Sequence, residues 1–437
     1  LGTNANSRAG LRAALLTAAI AAALAIGSVG APAASASPSC GGSSIQGAGS
    51  SLQELAQESL WGPGFNGAGG VCPGGPSITH AAGAWNETCQ AGTIDTEFSF
   101  IETETPPNTA EMKCIEEAAD GANVIVTPVA STSISIIANP PPGCRFAEET
   151  GITNLDLQKV FRGSLRTWAG LETTEGTCNS PITRVVPRDA SGASSQFKTY
   201  LSRMNGGKQP CVGKSWLELR STSGSPSPNV TWPEECSGNR LSAVARGAAD
   251  GGGSVVAEVN ETDGGIGYVA TPELKTSGAT ENLTIVALQN NGKTKSTEAN
   301  YASPEVGTAA NCFATPFFVP INSRPIHFFA TGISIDWSNT NGVFPNVGGA
   351  SYSLCTLSYI LTLRGMSLVN AGQVAPEPLP FTNGQYTTVN DYLHEYIVQP
   401  AGQEKLETEY YAPLPSAHVD WLDVVSAARF SASKTSW

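Results

Sequence analysis

The sequence is short of charge, of histidine and of long apolar runs. Asp, Glu, Lys and Arg make up 14% of its 437 residues, well under the roughly 25% usual in soluble domains. Basic residues are the scarcer sign, with 24 Lys and Arg against 37 Asp and Glu and a formal charge of −13. A nucleic-acid binder working through a basic face is thereby excluded. Four His residues are few for a histidine-based metal centre. His80, His327, His394 and His418 stand in no catalytic motif, and His394-Glu395 lacks the second His of an H-E-x-x-H helix. There is no G-x-S-x-G elbow, which speaks against a secreted hydrolase. There is no C-x-x-C pair either, so neither a zinc ribbon nor a thioredoxin-like site is expected. The reading is a protein that is not an enzyme and uses no cofactor or metal. Beyond the first 36 residues no stretch is apolar for long enough to span a bilayer.

What is present begins with export. Arg8 and Arg12 precede an Ala-rich apolar run from Leu15 to Ile26, and Ala34-Ser35-Ala36 follows as a small-residue cleavage signal. Residues 1–36 are predicted to be a secretory signal peptide, and the mature protein to be secreted and extracytoplasmic, in the periplasm or at the cell surface. All ten cysteines lie beyond that point. An even count in an oxidising compartment predicts disulfides, with the pairing left open. Apolar residues are 40% of the chain, enough for a buried core. The 47 Gly and 29 Pro predict a surface rich in turns.

Periodicity predicts alternating strands and helices. Leu52, Leu55, Ala56 and Leu60 form one helical face, followed by a loop from Gly62 to Gly75. Val124 to Ile137 reads as buried strand broken at Pro128. Leu157, Val160 and Phe161 mark a short helix, Val185-Val186 a short strand, and Phe197, Tyr200, Leu201 and Met204 a second helical face. Val255, Val256 and Val259 suggest a helix, Gly264 to Val269 a turn into a strand, and Thr284 to Leu288 another strand. Val347 to Leu363 reads as strand then helix, and Tyr392 to Tyr411 as helix ending at Pro413-Leu414-Pro415. The class is α/β.

Two loops share one design. Gly47-Ala48-Gly49-Ser50-Ser51 runs into the Leu52 helix, and Arg188-Asp189-Ala190-Ser191-Gly192-Ala193-Ser194-Ser195 runs into the Phe197 helix. A helix start presents unpaired N–H groups and the positive end of the helix dipole. Small residues let an anion reach that backbone, Ser hydroxyls add donors, and Arg188 adds a charged fork. Two such starts facing each other would cage an oxyanion without a net positive charge. Taken singly, each loop is equally an ordinary helix cap.

These loops resemble the ligand loops of phosphate ABC transporter substrate-binding proteins. Four further segments match that family in order: Ile136-Ile137-Ala138-Asn139-Pro140, Leu157 to Trp168, Gly265-Ile266-Gly267-Tyr268-Val269, and Tyr411-Ala412-Pro413-Leu414-Pro415. The resemblance implies a two-lobed type II periplasmic-binding-protein fold, with two crossing segments and a central ligand cleft. It implies lobe 1 over 37–138 and 344–437, and lobe 2 over 139–343. It also implies a monomeric receptor for inorganic phosphate or a related oxyanion that serves a membrane ABC permease. Ser50 and Ser51 would bind from the first lobe. Arg188, Asp189, Ser191, Gly192 and Ala193 would bind from the second, Ala193 through its backbone N–H. Glu102 is the best match for the carboxylate that accepts a hydrogen bond from protonated phosphate and repels fully ionised sulfate. The chain departs from the family pattern at Pro187, where an Arg is usual, at Ala193, where a Thr is usual, and at Gly83-Ala84-Trp85, which lacks a Ser. The alternative is the same fold with a different small ligand, or a cell-surface interaction protein without a transport role.

Overall fold

The computed structural model describes residues 37–82, 98–104, 124–148, 150–188, 191–203, 232, 240–245, 253–278, 283–289, 301–305, 352–363 and 382–414. The expected signal peptide, residues 1–36, lies outside the described residues, as do Trp85, Asp189, Met204, Pro415, nearly all of the polar stretch from Gly206 to Cys236 and the start of the Val347 run.

The chain begins with β1 (Ile45–Gly49), then a π-helical turn α1 (Ala56–Trp61) that runs straight on as α2 (Gly62–Asn66). The loop expected from Gly62 is therefore helix at its start. Pro63 falls where the π-helical turn hands over to α2, at the first positions of the new segment, and Phe65 is buried. β2 (Ile78–Ala82) and β3 (Phe100–Thr103) flank β1 in parallel.

β4 (Val124–Asn139) is unbroken over 16 residues, contrary to the expected stop at Pro128. The sheet absorbs that proline with a bulge. Ser358 faces Ala130 while Tyr359 faces Pro128, so Val129 is the extra residue. β5 (Cys144–Phe146) follows, then α3 (Asn154–Phe161). Thr153 caps α3 by accepting the Asp156 N–H at 3.0 Å, and the buried Arg184 Nη1 donates to the last-turn carbonyl of Phe161 at 2.7 Å.

β6 (Thr174–Gly176) and β7 (Thr183–Pro187) lead to α4 (Gly192–Arg203). β8 (Arg240–Val244), α5 (Gly253–Glu261), β9 (Gly265–Ala270) and α6 (Thr271–Thr276) follow. The single strand expected at Thr284 is two: β10 (Thr284–Val286) pairs with β4, and β11 (Leu288–Gln289) pairs with β12 (Tyr301–Ala302). β13 (Cys355–Leu363) is strand throughout, without the expected helix, because it lies between β3 and β4. An apolar run of that length does not by itself distinguish the two. The last helical region starts earlier than expected, at α7 (Asn383–Val389) with a Thr382–Gln385 capping box. It widens into the π-helical α8 (Asn390–Ile397) and restarts at Pro400 as α9 (Pro400–Gln403).

One sheet runs in the order β2-β1-β3-β13-β4-β9-β7-β8, with β10 beside β4. β4 is its spine. Val124 to Ser133 pairs with β13, whereas Ile134 to Asn139 pairs with β9. The core changes at the same place. Trp61, Phe65, Phe100, Val129, Tyr359 and Tyr392 share one apolar cluster. Ile134, Ile136, Phe161, Trp168, Phe197 and Tyr268 share another. On β4, Ile136 and Ala138 face that second cluster while Ile137 faces a third, with Val185, Val255, Val259 and Leu274. The alternation follows the pleat and shows a sheet covered on both faces, as in a mixed α/β protein. The fold is α/β and two-lobed, with β4 and the approach to β13 crossing between the lobes.

Cys40 is bonded to Cys72 and Cys144 to Cys178, over separations of 32 and 34 residues. Cys355 is disulfide-bonded as well. Loops of that length imply about 4 kcal/mol per bridge through restriction of the unfolded chain. Calorimetry of a Cys144→Ser, Cys178→Ser double variant is expected to show a clear fall in melting temperature, and an unchanged value would contradict that account.

Candidate functional site

The first ligand-type loop leaves the sheet at Gly49, whose φ of 142° suits glycine. A side chain there would run into the Glu102 backbone. That close approach lets the Ser50 N–H donate to the Glu102 carbonyl at 3.1 Å. Ser50 Oγ accepts the Leu52 N–H at 3.1 Å, and the Ser50 hydroxyl is also hydrogen-bonded to the Glu104 carboxyl. Tyr411 Oη donates to the Leu52 carbonyl at 2.8 Å, so the return chain pins the start of the helical segment.

The second loop ends in α4. Ser191 Oγ accepts the Ser194 N–H at 3.4 Å, and Ser194 Oγ lies 2.6 Å from Tyr268 Oη on β9. Gly192 and Ala193 are buried. Arg188 is exposed, with its N–H bonded to the Val244 carbonyl at 2.8 Å.

The two loops meet. The Gly192 N–H donates to Ser51 Oγ at 3.4 Å across 141 residues of sequence. A Cβ placed on Gly192 would lie 2.5 Å from Glu104 Oε1, so the Glu104 carboxyl rests directly on the first residue of α4. Ser50, Ser51, Gly192 and Glu104 thus share one spot, between two lobes of the sheet. Glu104 is 7% exposed. Burial pushes its carboxyl above the usual range, and the Ser50 hydrogen bond offsets only part of that. Its carbonyl is also held, by Gln196 Nε2 at 2.9 Å and Thr356 Oγ1 at 3.2 Å.

Glu102 is placed differently. It is fully buried with its Oε2 2.7 Å from His80 Nε2. The pair reaches across β1, where the residues between β2 and β3 are Gly47 and Gly49 and offer no side chain in the way. Burial opposes charge on His80, but Glu102 outweighs it and the imidazole pKa is raised. Burial also raises the Glu102 carboxyl, against the pull of His80. Glu102 contributes its carbonyl to the first loop, and its carboxylate is engaged by His80.

Two residues at this spot escaped the sequence reading. Glu102-Thr103-Glu104 offers two carboxylates of equal parity, and only the pairing of β3 decides which one meets the opposite lobe. Gln196 follows Gly192 by four residues and so shares its helix face, a signal that was present but weak. Among the described residues no cluster of three His, Cys, Asp or Glu side chains could hold a metal ion.

Residues 100–315 match the model of a family described as the PBP superfamily domain. No curated protein matches the chain. Among solved structures, it is similar to a high-affinity periplasmic phosphate-binding protein, PfluDING, solved with bound phosphate. That match has a TM-score of 0.57 and 18% identity, over 88% of this chain and 93% of the other. An ancestral soluble variant of the human phosphate-binding protein gives 0.56 and 15%, over 89% and 93%. The phosphate-binding protein of Stenotrophomonas maltophilia gives 0.53 and 16%, over 88% and 93%. At these identities the likeness is one of fold. It bears out the two-lobed α/β architecture expected from the sequence.

Proposed function

We propose that this chain, built on the fold of the periplasmic binding proteins, is a secreted, monomeric solute-binding protein. It captures inorganic phosphate between its lobes and presents it to a membrane ABC permease. One observation carries the reading: Ser51 and Gly192 are in hydrogen-bond contact across the two lobes, with the Glu104 carboxyl beside them. The solved structures of like fold are named as phosphate-binding proteins, which favours the same ligand class and a binding rather than catalytic role. The disulfides and the leader-like first 36 residues favour an extracytoplasmic setting.

In this reading the backbone N–H groups at Ser51, Gly192 and Ala193 and the hydroxyls of Ser51 and Ser191 donate to the anion, the Gly192 N–H exchanging Ser51 Oγ for it, while Ser50, whose N–H is held by the Glu102 carbonyl, braces the first loop. Arg188 and Asp189 lie on the same second loop and shape its approach. The hydrogen-bond-accepting role expected of Glu102 is assigned in this reading to Glu104, because Glu104 is the carboxylate at the junction. A buried carboxylate beside anion donors accepts a hydrogen bond from a ligand that brings its own proton, and repels one that brings none. Phosphate near neutral pH carries that proton and sulfate does not. Closure of the lobes completes the donor shell.

Isothermal titration of the mature chain is expected to give a saturable heat with phosphate and with arsenate, and none with sulfate. Absence of heat with phosphate, together with an unshifted melting temperature, would remove phosphate as the ligand and leave the same fold with another small ligand.

A further inference from the structure

Gly192 and Gln196 stand one turn apart on α4 and meet the two ends of one residue. Gly192 lies against the Glu104 carboxyl, and Gln196 Nε2 donates to the Glu104 carbonyl at 2.9 Å. Glu104 follows β3 in the first lobe, whereas Gln196 belongs to the second, 92 residues later. The carbonyl is also braced from β13 by Thr356 at 3.2 Å, so the acceptor does not follow Gln196 if α4 moves away. Leu52 adds an apolar tie: it leaves the first lobe's loop and is buried with the second lobe's cluster.

We propose that Gln196 is a latch, a residue that holds the lobes together without touching the ligand. The inference rests on the reading of the cleft as a closing receptor site. The Gln196–Glu104 bond lies wholly between protein groups, so it strengthens the closed form whatever occupies the cleft. Opening breaks it, and the carbonyl keeps Thr356 as its donor while Gln196 Nε2 loses this acceptor. Ligand enters the open form, in which the bond is already absent, so the latch acts on release through the lifetime of the closed form, and on capture only through the fraction of molecules that are open. A neutral side-chain to carbonyl bond of this kind corresponds to a change of about tenfold in the open-to-closed ratio.

The test uses the mature chain with a fluorophore pair at the exposed positions Ala68 and Glu261, one on each lobe. Gln196→Met keeps length and removes the donor. Gln196→Lys keeps a donor. The Met variant is expected to raise the open fraction about tenfold, and the Lys variant to stay closed. With inorganic phosphate, the Met variant is expected to release about ten times faster and to associate faster in proportion to its open fraction. An unchanged open fraction and release rate in the Met variant overturn the proposal. So does a lowered melting temperature with the open fraction intact, which marks a merely structural side chain. If the parent chain gives no heat with phosphate, the ligand reading falls, while the fluorophore distance still decides for or against the latch.

Discussion

Glu104→Gln is expected to bind sulfate about a hundredfold more tightly than the parent chain, and to melt at a higher temperature at neutral pH. The first effect follows from charge. A fixed carboxylate beside anion donors costs a fully ionised ligand several kcal/mol, and the amide removes that cost while leaving the donors of the two loops in place. Phosphate loses an acceptor for its proton in the same change, so its affinity falls, by about tenfold. Competition calorimetry with the two anions measures the ratio.

The second effect follows from burial. Burial raises the folded-state carboxyl pKa of Glu104 above its unfolded value, which is about 4.3. Below the unfolded value both states are protonated, and Glu and Gln chains melt alike. As pH rises the unfolded chain loses its proton first, so the parent protein loses stability until the folded pKa is passed. The melting difference therefore opens above about pH 4 and persists at neutral pH. A difference equal at low and neutral pH would show that Glu104 is not buried as an acid.

Gly192→Val is expected to abolish phosphate binding, by more than about a hundredfold, with the fold intact. The new Cβ would meet the Glu104 carboxyl at 2.5 Å, and it would cover the N–H groups that open α4. The obstructed group is the free end of a flexible side chain, so the fold can yield by turning Glu104 aside. The site cannot, because the anion must come to the same place. Circular dichroism and melting should stay close to the parent while the titration heat disappears. If Gly192→Val combined with Glu104→Ala recovers phosphate binding to within about tenfold, the clash is the cause. If it does not, the shielding of the amides is. Full affinity in the single variant would show that the ligand does not approach α4.

Much of this was legible locally. The small residues of 191–195 marked the start of α4, and those of 47–51 leave β1 through a turn that leads into α1. The Val255, Val256, Val259 face and the Gly264 turn fell where the pattern put them, because amphipathic period and glycine preference act within a few residues. The misreadings share a cause of the opposite kind. Pro128 was expected to break β4, but a bulge facing β13 accommodates it, and β13 is more than 200 residues away in the chain. Gly62-Pro63-Gly64 looked like loop, but buried Phe65 holds the helix. The Cys40–Cys72 and Cys144–Cys178 partners were equally out of local reach.

The order of elements and the donor chemistry of two loops are written in the sequence, since each depends on neighbours along the chain. Which carboxylate stands between those loops was decided only in three dimensions. Glu102 and Glu104 have the same residue type and the same strand parity. They differ only in what the sheet sets against them, an imidazole reaching over two glycines for one and the first turn of α4 for the other. That distinction arises from strand pairing across distant segments, and no local pattern encodes it.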